Sequence, residues 1–280
     1  MDPAVYEKMS AQADYIMGPF ADMVLRAAKF PPAGNSQLVV LDQACGSGVV
    51  SSHIMSQLSP DDRSRLDLTC ADISELAIAQ MAKRIETSRW SVARAVTDDA
   101  MATHFPSDHF THIFFNFGPQ MLSKPLAGLK ECHRILRPGG VLGVSSWQVV
   151  PWSADYRAGM ARDTSLPSFP TEEQLLYAFS TTPERWDSVD AGRAHLQECG
   201  FTAIEAAAVE NTTTMSLEEV ETMLPFSLDM MTQKFWTREE VDRFRQAAAR
   251  AIVDYLKEKY GGGPVVWKWV ALVASGRKDW

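Results

Sequence analysis

An α/β fold is what this sequence predicts, and three observations predict it. The apolar run from Leu38 to Leu41 stops at an acid, Asp42, and passes through Gln43-Ala44-Cys45-Gly46-Ser47-Gly48. It re-emerges with helical apolar spacing at Val49, Val50, Ile54, Met55 and Leu58, so the order is strand, glycine loop, helix. A second apolar strand, Leu66-Asp67-Leu68-Thr69-Cys70-Ala71, ends at another acid, Asp72, about 25 residues past the loop, the length of one βαβ step. Third, a helix face of Leu129, Cys132, Ile135 and Leu136 stops at Arg137-Pro138-Gly139-Gly140, and the apolar strand Val141 to Ser146 follows; Pro-Gly-Gly is expected to close that helix and reverse the chain.

The totals narrow the class. A chain of 280 residues, 46% hydrophobic and 22% charged, has room for one large domain or one domain with a lid. Its net charge of −8 argues against nucleic acid, whose partners carry a basic footprint. Cys45, Cys70, Cys132 and Cys199 are widely spaced and form no metal-ligand pattern with histidine, so no metal is expected, and reduced thiols in a cytoplasmic protein are. Acids come early and no apolar run reaches about 18 residues, so neither a signal peptide nor a membrane span is expected.

Taken from the N-terminus, Phe20, Met23, Val24 and Ala27 fall at i, i+3, i+4 and i+7 on one apolar face. Gly18-Pro19 is expected to break this helix from an earlier segment bearing Tyr6, Met9, Tyr15 and Met17. Residues 1–35 read as a helical flap, either packed on the core or closing over a ligand with Tyr15 or Tyr6. Pro31-Pro32-Ala33-Gly34 then leads into the core.

The glycine loop suits a nucleotide-like ligand. Gly46 and Gly48 permit positive φ and remove the Cβ atoms that would hold a ligand off the backbone, and the following helix starts with free N–H groups. A dinucleotide loop wants G-x-G-x-x-G; here Gly46, Gly48 and Ser51 match it loosely. Asp42 would repel a pyrophosphate but attract, through water or directly, the ammonium of an amino-acid moiety. Asp72 can accept both hydroxyls of a ribose, which points to an adenosine ligand without choosing its kind. Ser74 caps a helix to about Ser88. After a short strand near Val92 to Val96 comes Asp98-Asp99-Ala100-Met101, and then Phe105-Pro106-Ser107-Asp108-His109-Phe110-Thr111-His112-Ile113-Phe114-Phe115-Asn116, a run into a fourth strand ending at Asn116-Phe117. His112, on that strand, reads as structural.

Asp42-x-Ala44-x-Gly46-x-Gly48, Asp72, Asp99-Ala100 and Leu136-Arg137-Pro138-Gly139-Gly140, in this order, resemble the class I S-adenosylmethionine (SAM) methyltransferases, above all the ubiquinone-biosynthesis C-methyltransferase type. The departures are Ala44 for the family's first loop glycine and Thr111 for the second acid of its F-p-D-x-x-F-D run. The resemblance covers residues 36–148 firmly. It implies a seven-stranded Rossmann-like sheet of order 3-2-1-4-5-7-6, SAM as cofactor and S-adenosyl-L-homocysteine as product. It implies cofactor contacts from Asp42, Ala44, Cys45, Gly46, Gly48, Asp72, Ile73, Asp99, Ala100, Asn116 and Phe117, with Tyr15 from the flap. Asp99 would receive the adenine amino group, and Asp98 is the neighbouring candidate.

Beyond Trp147 the chain is loop-rich to Val189, with a capped helix opening at Thr171 and Gln174. A helix from Asp190 to Cys199 leads to a sixth strand, Thr202 to Val209. Ser216 with Glu219, and Thr237 with Glu240, open two more helices, and a last strand runs from Val265 to Ala274. Residues 36–280 thus read as one methyltransferase domain with acceptor-pocket insertions at about 147–189 and 211–262. Phe20, Met121, Trp147, Trp152, Met223, Phe226 and Met230 are the expected acceptor contacts, because methionine and aromatic side chains suit an adaptable apolar pocket.

The whole also resembles fungal secondary-metabolite methyltransferases, including the gliotoxin-type thiol methyltransferases. The expected function is methyl transfer to a small hydrophobic or aromatic metabolite, with a thiol acceptor. O- or N-methylation, a non-methylating SAM-binding protein and an NAD(P) oxidoreductase are the alternatives. Spacing compels no acid–histidine dyad, so no catalytic residue is assigned. A monomer or weak homodimer is expected.

Overall fold

A computed structural model describes residues 3–279, with side chains from residue 10 onward; Tyr6 and Met9 therefore lie outside the described side chains. The elements are α1 (Pro3–Ala27), β1 (Leu38–Gln43), α2 (Val49–Gln57), α3 (Pro60–Ser64), β2 (Leu66–Asp72), α4 (Glu75–Thr87), β3 (Ala93–Thr97), β4 (Phe110–Asn116), α5 (Pro125–Ile135) and β5 (Leu136–Val149). There follow α6 (Trp152–Met160), α7 (Glu172–Leu176), α8 (Val189–Glu198), β6 (Phe201–Met215), α9 (Leu217–Phe235), α10 (Arg238–Tyr260) and β7 (Val265–Lys278). The chain divides into a sheet unit (Ala13–Gln148, Phe179–Val209, Ala271–Trp280) and a helical unit (Met1–Gln12, Val149–Ala178, Glu210–Val270).

The strands form one seven-stranded sheet of order β3-β2-β1-β4-β5-β7-β6. Neighbours from β3 through β5 are parallel, with Leu38 opposite Leu66, Leu68 opposite Ala93 and Ile113 opposite Leu142. All six residues of β1 are buried, as a parallel strand covered on both faces requires. Strand alternation sorts them. Leu38 and Val40 join Val24 and Leu25 of α1, Ile54 of α2 and Met81 of α4 on one face. Val39 and Leu41 join Leu129 and Ile135 of α5 and Leu196 of α8 on the other. The chain leaves β1 toward β2 on one side and meets β4 on the other, so the switch point, where ligands sit in such sheets, lies at the carboxyl end of β1.

Two sequence expectations are corrected. Gly18-Pro19 does not break the first helix: α1 is continuous with Pro19 inside it. An interior proline costs about 3 kcal/mol, but Phe20, Ala21, Val24 and Leu25 are all fully buried, and each large apolar side chain returns about 1.5–3 kcal/mol. Gly18 has a different job. A Cβ there would stand 2.8 Å from Nε2 of His53, so the glycine lets α1 lie close against α2, where Asp22 meets His53 Nδ1 at 2.5 Å. Second, Arg137-Pro138-Gly139-Gly140 does not lie between helix and strand. α5 ends at Ile135, β5 begins at Leu136, and the motif forms a bulge in β5, with Phe110 opposite Leu136 but His112 opposite Val141. Gly139 supplies the positive φ, 78°, which a bulge of this kind asks of glycine.

In the helical unit, the three capping boxes expected at Thr171, Ser216 and Thr237 are formed. The stretch expected as loop after Trp147 contains α6. Its Asp155 is buried and accepts from Lys259 Nζ at 2.5 Å, Tyr260 Oη at 3.1 Å and Trp267 Nε1 at 2.8 Å, so one carboxylate ties α6, α10 and β7 together.

Candidate active site

The glycine loop is held in shape by three positive-φ residues in five. Ala44 (53°), Gly46 (52°) and Gly48 (82°) alternate with ordinary backbone, and Gly48 N closes the turn on Cys45 O at 2.8 Å. The two glycines are there for different reasons. A Cβ at Gly46 meets nothing of the protein within 4 Å, whereas a Cβ at Gly48 would stand 2.4 Å from Met81 Sδ. The space over Gly46 is thus an open cradle, and Gly48 is where α4 presses on the loop. Ala44 occupies the left-handed region with a side chain, which costs about 1–2 kcal/mol. Replacing it with glycine is expected to raise the unfolding free energy by about 1 kcal/mol, read from urea midpoints.

Asp72 is where its sequence position put it. Its Oδ2 accepts from Gly46 N at 2.9 Å and its Oδ1 from Ser74 N at 2.9 Å, so the acid braces the loop from the end of β2 while half-buried. Ile73 beside it is 66% exposed, an apolar side chain left mostly open at the sheet's carboxyl edge. Asp98 and Asp99 separate cleanly. Asp98 is buried and accepts from His104 N at 3.0 Å, with His104 Nδ1 at 2.9 Å, a structural brace. Asp99 is half-buried and accepts from Met101 N at 2.8 Å through Oδ1 alone, which leaves Asp99 as the better ligand candidate.

Asp42 is tied into the fold through Ser51. Its carboxyl is 2% exposed and turned toward α2, where Oδ2 accepts from Ser51 N at 3.0 Å and Ser51 Oγ at 2.6 Å. Strand alternation puts it on the α2 face with Val40. Oδ2 thus anchors the first turn of the loop helix from the root of the glycine loop. Burial pushes its carboxyl up to about 7, against the lowering pull of the two Ser51 hydrogen bonds. Cys45 and Cys70 nearby are also buried and free, and burial raises the Cys70 thiol to about 12, so neither is a nucleophile near neutral pH.

At the ends of β4 and β5 the site turns aromatic. Phe117, at φ 54°, stacks on Trp147 with centroids 3.8 Å apart and 12° between planes. The edge of Phe20 packs on both, at 5.6 and 5.2 Å. Ser145 Oγ donates to Asn116 Oδ1 at 2.5 Å and accepts from Phe117 N at 2.9 Å, which fixes the strand end. Gln120 Oε1 accepts from Ser146 Oγ and Trp147 N, both at 2.6 Å; neither Ser145 nor Gln120 carries a sequence signal.

The expected acceptor contacts fare unevenly. Phe20 is fully buried and is a core residue supporting Phe117 and Trp147, not an open contact. Trp152 is also buried, packed against Tyr156 at 4.9 Å and Phe169 at 6.5 Å inside the helical unit. Met121 is exposed on the turn after β4, and Tyr15 is exposed on α1. On α9, Val220, Leu224, Leu228 and Met231 form the buried stripe. Met223, Phe226 and Met230 form a second apolar stripe at i, i+3 and i+7, with Phe226 48% exposed. His112 is the structural residue expected: buried against Phe30 and lowered by burial to about 4, it stays neutral. Among the described residues no cluster of three histidine, cysteine or acidic side chains is placed to hold a metal ion, and no helix is long and apolar enough to cross a membrane.

Known proteins resemble this arrangement along most of its length. Residues 40–140 match a methyltransferase domain family. The methyltransferase tpcH of Aspergillus fumigatus is 30% identical over 92% of this chain and 91% of its own. The acetylaranotin bis-thiomethyltransferase of Aspergillus terreus is 31% identical over 95% of this chain and 92% of its own. A phosphoethanolamine N-methyltransferase of Haemonchus contortus, solved with S-adenosyl-L-methionine, superposes with a TM-score of 0.53 at 15% identity, over 92% of this chain and 53% of its own.

Proposed function

We infer the acceptor from the premise that this chain belongs to the SAM-dependent methyltransferases: we propose that it methylates the thiol of a small hydrophobic metabolite of secondary metabolism. The observation that carries this reading is the 31% identity to a bis-thiomethyltransferase, which extends over 95% of the chain and so takes in the helical unit as well as the sheet. With the family fixed, the oxidoreductase alternative falls away.

The residues present fit the cofactor. The open cradle over Gly46 admits a ligand against the backbone, Asp72 stands at the end of β2 for the ribose hydroxyls, exposed Ile73 offers an apolar side to the adenosine, and Asp99 presents an acceptor for the adenine amino group. SAM supplies a methyl group already activated on a sulfonium. The chain's own residues have to align and enclose, and orientation of that kind lowers a barrier by about 7–11 kcal/mol. The stacked Phe117 and Trp147, held by Ser145 and Gln120, give a rigid aromatic floor, and aromatic faces favour cations. A thiol suits a site built this way, because its pKa of about 8.5 leaves part of it ionised near neutral pH without a base. We assign acceptor binding on the helical unit to the Met223, Phe226 and Met230 stripe. Four free, buried cysteines fit a reducing compartment, which supports a cytoplasmic location, and the net charge of −8 speaks for a small molecule over nucleic acid.

The test is product analysis with SAM and three matched aryl acceptors, a thiol, a phenol and an amine. S-adenosyl-L-homocysteine and the S-methyl product from the thiol are expected. Methylation of the phenol or amine alone would move the acceptor atom, and no S-adenosyl-L-homocysteine from any acceptor would leave a SAM-binding protein that does not methylate these. Separately, Asp99→Ala is expected to weaken SAM binding about tenfold, the value of one hydrogen bond to a charged acceptor, in calorimetric titration; unchanged affinity would remove Asp99 from the site.

A further inference from the structure

Arg84, on α4, occupies an electrostatically odd place. Its Nη1 donates to Gly48 O at 3.3 Å and to Ser52 Oγ at 2.6 Å, and its Nη2 to Asp14 Oδ2 at 3.3 Å. Gly48 is the residue before α2, so a guanidinium sits at the N-terminal turn of a helix, the end whose partial charge is already positive. Stability of α2 alone gives no reason to place a cation there. What the position does provide is a bridge. Gly48 O accepts from Ser52 N and Ser52 Oγ, each at 2.9 Å, as well as from Arg84, so the last residue of the glycine loop is held from two sides, by the loop helix and by α4. Met81, one turn earlier on α4, fills the space where a side chain at Gly48 would go. Asp14 lies on α1, one turn ahead of Gly18, where that helix comes close against α2. The guanidinium therefore joins three pieces that are far apart in sequence: the loop, the loop helix and the N-terminal helix.

We propose that Arg84 is a positioning residue for the cofactor. Through Gly48 O it holds the glycine loop in its binding shape, and through Asp14 it makes that shape depend on the seating of α1. The proposal rests on the reading of the glycine loop as the SAM site. It predicts coupling, since a clamp with two ends fails when either end is cut and fails no further when both are.

The experiment is calorimetric SAM binding by the wild type, Arg84→Gln, Asp14→Asn and the double variant, with melting temperatures and the acceptor KM at saturating SAM measured on each. Each single change is expected to raise the SAM Kd about tenfold, and the double variant by no more than the larger single effect, the non-additivity of groups acting as one unit. Acceptor KM is expected to hold, which a general loss of structure would not allow. Asp14 is a partly exposed side chain, 36% accessible, so its asparagine variant keeps the test available should Arg84→Gln fold poorly. Unchanged SAM affinity in either single variant would overturn the positioning role, and single effects that multiply to about a hundredfold would overturn the coupling. A wild type that does not bind SAM would instead overturn the reading of the loop.

Discussion

Substituting the two loop glycines with alanine is expected to damage the protein in two different ways. Gly48→Ala places a Cβ 2.4 Å from Met81 Sδ at a φ of 82°. Met81 is fully buried, so its sulfur cannot swing away into solvent. Left-handed strain of about 1–2 kcal/mol adds to an overpacking cost of about 1–3 kcal/mol, and a loss of about 2–5 kcal/mol in unfolding free energy is expected. Gly46→Ala has nothing of the protein to strike, and only the backbone strain of its φ of 52° applies, about 1–2 kcal/mol. Its methyl group projects into the open cradle, so SAM affinity is expected to fall at least about tenfold while the fold stays largely intact. Urea unfolding paired with SAM titration on both variants separates the two outcomes. A Gly46→Ala protein that binds SAM normally would show that the cradle is not where the cofactor lies.

The contrast between those glycines marks where sequence reading reaches and where it stops. Both were legible as loop glycines between a strand and a helix, and so were the acids at the ends of β1 and β2, because a short apolar run followed by an acid and small residues is a local pattern. The direction of Asp42 was also within reach. Counting back along β1 puts it on the face of Leu38 and Val40, toward α2, where Ser51 takes up one of its oxygens. Pro19 was misjudged because a local rule worth about 3 kcal/mol lost to tertiary burial on the same helix. The burial of Phe20 and Trp152 follows from packing that no spacing reveals. Arg84 is the least legible of all. It reads as an ordinary charged position on the helix α4, and its meaning depends on a carbonyl 36 residues away and a carboxylate 70 away.

Asp42 yields the sharpest dependence on pH. Its carboxyl sits at about 7 in the folded chain, raised chiefly by burial, against an ordinary value of 3.8. At pH below 4 both folded and unfolded chains hold the proton, and the group is neutral in its effect. Between about pH 4 and pH 7 the unfolded chain ionises first, so rising pH draws the chain toward unfolding, and above pH 7 the penalty levels off. With about 1.36 kcal/mol for each pKa unit, the shift makes this residue's contribution fall by about 4 kcal/mol across that window, as a ceiling. The Asp42→Asn variant keeps an oxygen for Ser51 and leaves nothing to ionise at this position. The difference in unfolding free energy between variant and wild type is therefore expected to grow in the variant's favour from pH 4 to pH 8, measured by urea unfolding at intervals across the range. A constant difference would mean that Asp42 does not change protonation on unfolding in this window. The same carboxyl lies at the root of the loop, and a cationic cofactor bound there stabilises its charged form. SAM binding near pH 7 is thus expected to release a fraction of a proton, seen as a dependence of the calorimetric heat on buffer ionisation enthalpy. That release should vanish in Asp42→Asn, which would show that a burial cost carried by the fold is relieved when the site is filled.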